Sequence, residues 1–369
     1  MQDRNTYKLL TPGPLTTTPS VKEAMLIDRC TWDQDYNDIT QDIRARLLRL
    51  AHADNGEYTS VLMQGSGTFG VESVLTSIPS KDDVVLVLVN GAYSERMVKI
   101  LQLQEVKHCR LDFAWDKMPD AASVEAFLST HPEVTMVSMV HSETTSGLLN
   151  DIAAIGKVVK GRGLTFIVDA MSSFGGVDID VPAIGIDFII SSANKCIQGV
   201  PGFSFIIARR EALLKSEGNA RSLSLDLFDQ WQTMEKAGGK WRYTSPTHVV
   251  AAFHQAMVEL DAEGGIKARH ERYAKCNAQL RAGMEALGFK AYIAAHDQGP
   301  IITTFFYPEG FKVNFPEMHA FLKENGYVIY PGKLTEAETF RLGNIGEIYP
   351  ADIERIIELF RIYKEQHHA

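Results

Sequence analysis

The chain has 369 residues, more than one hydrophobic core usually holds, and its 45% hydrophobic and 22% charged residues are typical of a globular protein with two domains. A net charge of -9 without any block of Lys and Arg argues against a nucleic-acid partner. The longest apolar stretch, DDVVLVLVNGAY, is far shorter than the roughly 20 residues of a membrane helix, and MQDRNTYKLL lacks a signal-peptide pattern, so we expect a cytoplasmic protein without membrane contact.

The first predicted helix follows an extended segment. LLTPGPLTTTPSV is rich in Pro and Thr, which favours extended and turning backbone. From about Asp38 to His52, apolar residues such as Ile39, Ile43 and Leu47 recur every three to four positions. This spacing predicts a helix.

Runs rich in Val and Ile then alternate with helical patterns. The predicted strands are, in chain order, YTSVLMQ, DVVLVLV, VKHCRL, VTMVSMV, LTFIVDA, IDFIISS and GFSFIIA. Helical patterns such as SERMVKILQLQ lie between them, which is typical of βαβ units around a mostly parallel sheet. Several runs are apolar at successive positions, so we expect helices on both faces of this sheet.

The C-terminal third has a different pattern. Residues 251–287 form a long helical pattern interrupted at DAEGG, and short strand patterns and a final helix, ADIERIIELFRIYKEQ, follow. The predicted fold is therefore α/β, with a mostly parallel sheet in a large domain and a smaller α+β domain after it. We assign residues 19–255 to the large domain and 256–369 to the small one, with residues 1–18 as an extended segment packing against the small domain.

A glycine-rich loop, QGSGTFG, follows the first strand of the large domain. Gly65, Gly67 and Gly70 fit the spacing of a dinucleotide-binding loop, but the next strand ends in Asn90 instead of the acidic residue that such a site requires. The hydroxyls of the loop suit a phosphate monoester at the start of the following helix. A tight turn without a ligand remains the alternative.

Two charged residues follow later strands. Asp169 ends an apolar run, where a buried carboxylate needs a cationic or hydrogen-bonding partner; Ser172 and Ser173 are the simplest candidates and a protonated pyridine nitrogen is the better one. Lys195 follows the apolar run IDFII among small residues, and confinement of this kind lowers a lysine pKa and favours reaction with an aldehyde. A solvated loop lysine is the alternative.

Weaker signals come from two further loops at the same sheet edge. Tyr93 in NGAYSER is expected to lie in a loop and to stack on a planar ligand, although loop tyrosines usually serve packing. Thr145 in HSETTSG is expected either to bind a ligand ring or to cap a helix. An amine, a strand-end carboxylate, a phosphate loop and an aromatic ring are together the groups that pyridoxal 5'-phosphate requires.

The cysteines suggest no further chemistry. Cys30, Cys109, Cys196 and Cys276 lie far apart without a C-x-x-C pair, so we predict free thiols and neither a zinc site nor a redox motif. The sequence has no other cluster of metal-ligand type, and we predict that the protein binds no metal.

The chain resembles the class-V, fold-type-I aminotransferases that depend on pyridoxal 5'-phosphate and include alanine–glyoxylate and serine–pyruvate transaminases. The resemblance covers essentially the whole chain, through LLTPGPLTT, MQGSGTF, MVHSETTSG, IVDAMSSFGG, ISSANKCIQGVPGF, RSLSLDL, KWRYTSPTH and FRLGNIGE. Within the family, SSANKCIQGVPGF and KWRYTSPTH are most similar to the branch that transfers an amino group from 2-aminoethylphosphonate to pyruvate.

The resemblance implies a role for each candidate residue. Lys195 matches the lysine that bonds to the cofactor's aldehyde, and Asp169 matches the partner of its ring nitrogen. The remaining cofactor contacts are expected from Ser66, Gly67, Thr68, Tyr93, Thr145, Asn194 and, from the other subunit of a homodimer, Thr244. Arg341 matches the arginine that binds the substrate carboxylate. Tyr93 replaces the tryptophan, and Asn194 the glutamine, of the alanine–glyoxylate relatives.

The implied activity is a ping-pong transamination that yields phosphonoacetaldehyde and L-alanine in phosphonate degradation. A serine–pyruvate or alanine–glyoxylate aminotransferase has the same cofactor residues and is the main alternative. A cysteine desulfurase requires a cysteine on a loop away from the lysine, whereas Cys196 is adjacent to Lys195. A nicotinamide-dependent oxidoreductase explains the glycine loop but leaves Asp169 and Lys195 without a role.

Overall fold

The computed structural model describes residues 7–311, 314–334 and 338–367. The helices are α1 Pro19–Glu23, α2 Gln34–Leu50, α3 Gly67–Ser77, α4 Ala92–Leu103, α5 Ala121–Thr130, α6 Ile152–Gly161, α7 Val181–Ile184, α8 Arg210–Leu214, α9 Leu227–Lys236, α10 Thr247–Glu263, α11 Gly265–Ala286, α12 Phe315–Glu324 and α13 Pro350–His367. The strands are β1 Lys8–Leu10, β2 Tyr58–Gln64, β3 Val85–Val89, β4 His108–Asp112, β5 Met136–Val140, β6 Ser142–Glu143, β7 Leu148–Leu149, β8 Thr165–Asp169, β9 Phe188–Ser192, β10 Phe203–Arg209, β11 Ile302–Phe306, β12 Tyr327–Pro331 and β13 Thr339–Gly343.

The larger sheet has seven strands in the order β2-β10-β9-β8-β5-β3-β4. The five strands from β9 to β4 are parallel, and β10 is antiparallel to both of its neighbours. Every residue of β3, β5 and β9 is buried, so both faces of the sheet are covered. The predicted α/β class with a mostly parallel sheet is confirmed.

The smaller sheet has four strands in the order β1-β12-β13-β11. β1 pairs with β12 in parallel, and Leu10 lies in a second hydrophobic core that includes residues of α11, α12 and α13. The N-terminal segment therefore contributes a strand to the C-terminal sheet. The domain bounds stay a prediction, and residue 255 lies inside α10.

Two predicted helices show how local sequence sets their ends. The first begins at Gln34, earlier than predicted, because Tyr36 packs in the large core. The long C-terminal pattern is divided where predicted, since Gly264 at φ 109 adopts a left-handed conformation between α10 and α11. Among the described residues, no helix is long and apolar enough to span a membrane.

The direction of the strands decides where polar residues meet. β8 ends at Asp169 and β9 ends at Ser192, and because both strands are parallel these ends lie at one edge of the sheet. β2 is antiparallel to β10, which is antiparallel to β9, so Gln64 at the end of β2 lies at the same edge. We call this edge, where β2, β8 and β9 end, the carboxyl edge.

Candidate active site

An open cavity of about 700 Å³ lies at the carboxyl edge of the large sheet. It brings together side chains that are far apart in sequence and that follow different strands. Its lining consists of Ser66, Gly67, Thr68, Val71, Tyr93, Arg96, Asp169, Met171, Ser192, Asn194 and Lys195.

The start of α3 forms one wall of the cavity. Ser66 precedes the helix in an extended conformation, and its side chain makes no capping hydrogen bond. The first amide groups of a helix have no partner within it and favour an anion. Gly67 is the first helical residue, where a Cβ would lie 2.2 Å from Sδ of Met171. The predicted phosphate loop is thus a helix N-terminus with the Ser66 hydroxyl in front of it and the Thr68 hydroxyl in its first turn.

Asp169 is buried at the end of β8 and only 5% exposed. The Met171 amide donates to Oδ1 at 2.8 Å, and among the described residues Asp169 has no salt bridge. Burial raises the pKa of this carboxyl from 3.8 to about 6, although the charges of Lys195 and Arg96 oppose the shift. Near neutral pH the site therefore holds a buried carboxylate with little compensation.

Lys195 lies opposite an extended part of the N-terminal segment. Its Nζ donates to the carbonyl oxygen of Pro12 at 2.8 Å. A Cβ on Gly13 would lie 2.9 Å from Nζ, and Gly13 has φ 124, so glycine is required for this close approach. Burial lowers the pKa of Lys195, which increases the fraction of neutral, nucleophilic amine.

Tyr93 lies in the first turn of α4 instead of in a loop. Its hydroxyl accepts a hydrogen bond from Lys333 Nζ at 3.3 Å, and the Lys333 Nζ and the Arg96 guanidinium lie 4.6 Å and 5.0 Å from its ring centroid. Burial alone would raise the pKa of Tyr93, but the charge of Lys195 and hydrogen bonds from Thr144 and Lys333 lower it.

Three of the predicted site residues do not line the cavity. Arg341 is buried on β13, where Nε donates to Pro331 O and Nη1 donates to Thr144 O, each at 3.0 Å. Thr145 is buried and donates its hydroxyl to Oε1 of Glu143 at 2.6 Å. Thr244 is exposed on the surface of the chain.

Comparisons with known proteins agree with this geometry. Residues 30–339 match the family model described as aminotransferase class-V. A 2-aminoethylphosphonate--pyruvate transaminase of Lysinibacillus sphaericus is 54% identical over 97% of both chains, and one of Phocaeicola vulgatus is 53% identical over 96% of this chain and 98% of that one. The crystal structure of pyridoxamine-pyruvate aminotransferase from Mesorhizobium loti has a TM-score of 0.89 at 23% identity and covers 99% of this chain and 94% of its own.

The chain belongs to the class-V aminotransferases. It is therefore an aminotransferase of the fold-type-I class, and its cofactor is pyridoxal 5'-phosphate. A nicotinamide-dependent oxidoreductase does not agree with this membership.

The residues of this aminotransferase at the cavity fit the cofactor. Asp169 is a buried carboxylate without a salt bridge among the described residues, and a cationic ring nitrogen is the partner that would compensate it. Lys195 offers an amine of lowered pKa to an aldehyde. The start of α3 offers amides and the hydroxyls of Ser66 and Thr68 to a phosphate.

The sequence patterns missed one residue of the site, Arg96. Arg96 lies three positions after Tyr93, on the same side of α4, and donates to the Thr68 hydroxyl at 3.0 Å. Its helical spacing from Tyr93 was the available signal. Glu143 is fully buried behind the cavity, burial raises its pKa, and its Oε2 has no hydrogen-bond partner within the described ranges of the chain.

The cysteine and metal alternatives find little support at this site. Cys196 is buried, and burial raises the pKa of its thiol to about 12, so it is not a reactive thiolate. In the parts of the chain that the structure describes, no three His, Cys, Asp or Glu residues cluster as metal ligands do.

Proposed function

We propose that this aminotransferase transfers the amino group of 2-aminoethylphosphonate to pyruvate and yields phosphonoacetaldehyde and L-alanine. The observation that carries the proposal is 54% identity, over 97% of both chains, to a transaminase with that name. Further relatives with the same name are 51% to 53% identical over 96% to 98% of this chain. These names support the phosphonate substrate over the serine–pyruvate and alanine–glyoxylate alternatives.

Lys195 is proposed as the residue that binds the cofactor and moves protons. A proton must leave the carbon that bears the substrate amine, and an amine of lowered pKa accepts it near neutral pH. The carbonyl of Pro12, 2.8 Å from Nζ, keeps the lysine amine in place. When bound, the cofactor supplies an electron sink that stabilises negative charge on the substrate carbon.

Asp169 is proposed to hold a proton on the cofactor's ring nitrogen. Its buried carboxylate is ionised above about pH 6, and a nearby cation would stabilise this charged form. Ser66, Gly67 and Thr68 are proposed to bind the phosphate with the amides of α3. Tyr93, Thr145 and Asn194 are proposed as further cofactor contacts. The hydrogen bond from Thr145 to Glu143 fixes the orientation of the Thr145 hydroxyl.

Arg341 is proposed to bind the acidic end of both substrates. Backbone carbonyls of Pro331 and Thr144 hold its guanidinium, so the group is oriented before a substrate arrives. A planar guanidinium with free N–H groups is suited to carboxylate and phosphonate oxygens.

We further propose a cytoplasmic homodimer in which Thr244 contributes to the partner's site. Large apolar side chains near this part of the chain are exposed, among them Leu223 at 77% and Trp32 at 75%. Tyr243, next to Thr244, is exposed as well. Apolar surface of this kind is typical of an interface. Light scattering of the purified protein measures the oligomeric state, and a monomer at micromolar concentration would contradict the proposal.

A coupled assay tests the substrate. The holoenzyme is mixed with 2-aminoethylphosphonate and pyruvate, and L-alanine is measured with alanine dehydrogenase. Serine replaces the phosphonate in a parallel reaction with pyruvate, and alanine replaces it in a reaction with glyoxylate, in which the pyruvate formed is measured with lactate dehydrogenase. We expect the highest kcat/KM with 2-aminoethylphosphonate, and a higher value with serine or alanine would reject the proposal.

A further inference from the structure

The side chain of Tyr93 is surrounded by positive charge. Arg96, Lys195, Lys333 and Arg341 all act on it through a ring contact, a hydrogen bond or their charge. Among the described residues, none of these four cations forms a salt bridge with a carboxylate within 4.0 Å. Arg96 and Lys195 line the cavity and Lys333 and Arg341 lie around the same tyrosine, and cations grouped in this way without carboxylate partners favour an anionic ligand.

Arg341 has only part of its guanidinium available for such a ligand. Nε donates to Pro331 O and one N–H of Nη1 donates to Thr144 O. Three of the five N–H groups remain on Nη1 and Nη2, and the Tyr93 hydroxyl lies within hydrogen-bond reach of this part of the guanidinium. Two oxygens can be bound in this way, which is all that a carboxylate presents.

A phosphonate presents a third oxygen and carries more negative charge than a carboxylate at the same pH. The Tyr93 hydroxyl lies near Arg341, and Lys333 Nζ lies 3.3 Å from that hydroxyl. Lys333 is an exposed residue in the segment after β12, where its flexible side chain has room to turn towards a ligand. Lys333 is thus a second cation beside the group that binds the acidic end.

We propose that Lys333 determines specificity for a phosphonate over a carboxylate, by donating to the third oxygen and balancing the additional charge of the substrate anion beside Arg341. The inference rests on the proposed function, and it names the residue that distinguishes its two substrates. The carboxylate of pyruvate binds to Arg341 without needing Lys333. One site in this way accepts both anions in turn.

The test compares the two half-reactions of the holoenzyme in the variant Lys333→Met. Each is followed in a single turnover by the absorbance change of the cofactor, with 2-aminoethylphosphonate added to enzyme loaded with pyridoxal 5'-phosphate and pyruvate added to enzyme loaded with pyridoxamine 5'-phosphate. We expect kcat/KM to fall about tenfold or more for the phosphonate, and to change less than about twofold for pyruvate. Lys333→Arg should restore most of the phosphonate rate because it keeps the charge.

A matched control removes one lysine elsewhere. Lys215 is exposed and pairs with Glu211 at the opposite edge of the large sheet, so Lys215→Met changes the net charge equally without touching the site. It should leave both half-reactions unchanged. Equal losses in both half-reactions of Lys333→Met, or no loss in either, would overturn the inference.

A binding measurement separates this inference from the proposed function. Calorimetry with ethylphosphonate and propionate, which lack an amine and do not react, compares the two anions directly. Wild type should prefer ethylphosphonate, and Lys333→Met should lose that preference. If wild type fails to convert 2-aminoethylphosphonate but shows this preference, the proposed function is wrong and the anion selectivity of Lys333 stands; an unchanged preference in the variant rejects the inference alone.

Discussion

Two aspartates at opposite edges of the large sheet, Asp169 buried and Asp187 partly buried, have different surroundings. Asp169 ends β8 at the carboxyl edge and accepts a hydrogen bond from the Met171 amide. Asp187 precedes β9 at the other edge, where Arg209 Nε donates to it at 2.8 Å and the Phe166 amide at 2.9 Å. Burial raises the pKa of both carboxyls, but of the two aspartates Asp187 alone forms a salt bridge with a described residue, Arg209, which also pairs with Glu57 at 3.8 Å.

This difference in partners indicates a structural role for the charge of Asp187 and a functional role for that of Asp169. When a carboxylate has a direct cationic partner, removing either one leaves the other charge uncompensated and destabilises the fold. A buried carboxylate without such a partner destabilises the protein until a ligand supplies the cation. At the carboxyl edge, the charge of Asp169 therefore lowers the stability of the protein until the cofactor binds. At the opposite edge, the chain itself supplies the cation that pairs with Asp187.

The largest expected effect concerns the residue beside Asp169 at the carboxyl edge. Lys195→Ala removes the amine that bonds to the cofactor and moves the proton, so we expect turnover to fall by at least about 10⁴-fold. The visible absorbance of the lysine-bound cofactor should disappear as well. Spectra and the alanine assay measure both, and retained turnover would contradict the assignment of Lys195.

Asp169→Asn tests the functional aspartate directly. The amide keeps the shape and the hydrogen bond to Met171 but holds no proton on the ring nitrogen, so kcat should fall about 100-fold to 1,000-fold. The variant should remain folded by circular dichroism. A rate near that of wild type would remove Asp169 from the mechanism.

Asp187→Asn makes the same chemical change at the other edge. It leaves the Arg209 guanidinium with the longer ion pair to Glu57 in place of the short one, so we expect the free energy of unfolding to fall by about 3 kcal/mol. The kcat should stay near the wild-type value, because Asp187 lies far from the cavity. Urea unfolding and the alanine assay measure the two quantities. A large loss of kcat without loss of stability would show that Asp187 has a functional and not a structural role.

The smallest expected effect is a pH dependence in the cofactor-free protein. The folded pKa of Asp169 is about 6 and its ordinary value is 3.8, so stability from the neutral carboxyl is fully present below 3.8 and is lost as the pH rises through about 6. The stability of Asp169→Asn relative to wild type should therefore rise by about 2 kcal/mol between pH 4 and pH 8. Urea unfolding at both pH values checks this, and a constant difference would show that Asp169 does not titrate as described.

The sequence was sufficient to predict which residues come together when their positions depend only on the direction of the strands. Asp169 and Lys195 come after apolar runs, and because parallel strands share a carboxyl edge, their meeting at one cavity was expected. Tyr93 was assigned to a loop, but the Ser94 hydroxyl accepts from the Asn90 and Gly91 amides, and the helix begins before Tyr93. These capping hydrogen bonds mark the start of the helix, and a search for periodic apolar residues does not detect them.

The remaining contacts depend on how distant segments pack. Lys195 and Pro12 are separated by 183 positions, and Lys333 and Tyr93 by 240. The acceptor in the first pair is a backbone carbonyl, which every residue possesses, so no residue type marks it. The burial of Glu143 and the exposure of Lys333 are likewise properties of the packed structure and not of residue identity.

The strand β1 has a mechanical consequence for the lysine. Leu10 is hydrogen-bonded into the small sheet through β12, and Pro12, two residues later, holds Lys195 at the large sheet. A movement of the small sheet relative to the large one therefore pulls on the carbonyl that holds the amine. The same small sheet carries Arg341, so two residues of backbone connect the sheet of the proposed anion-binding group with the carbonyl that holds the lysine amine.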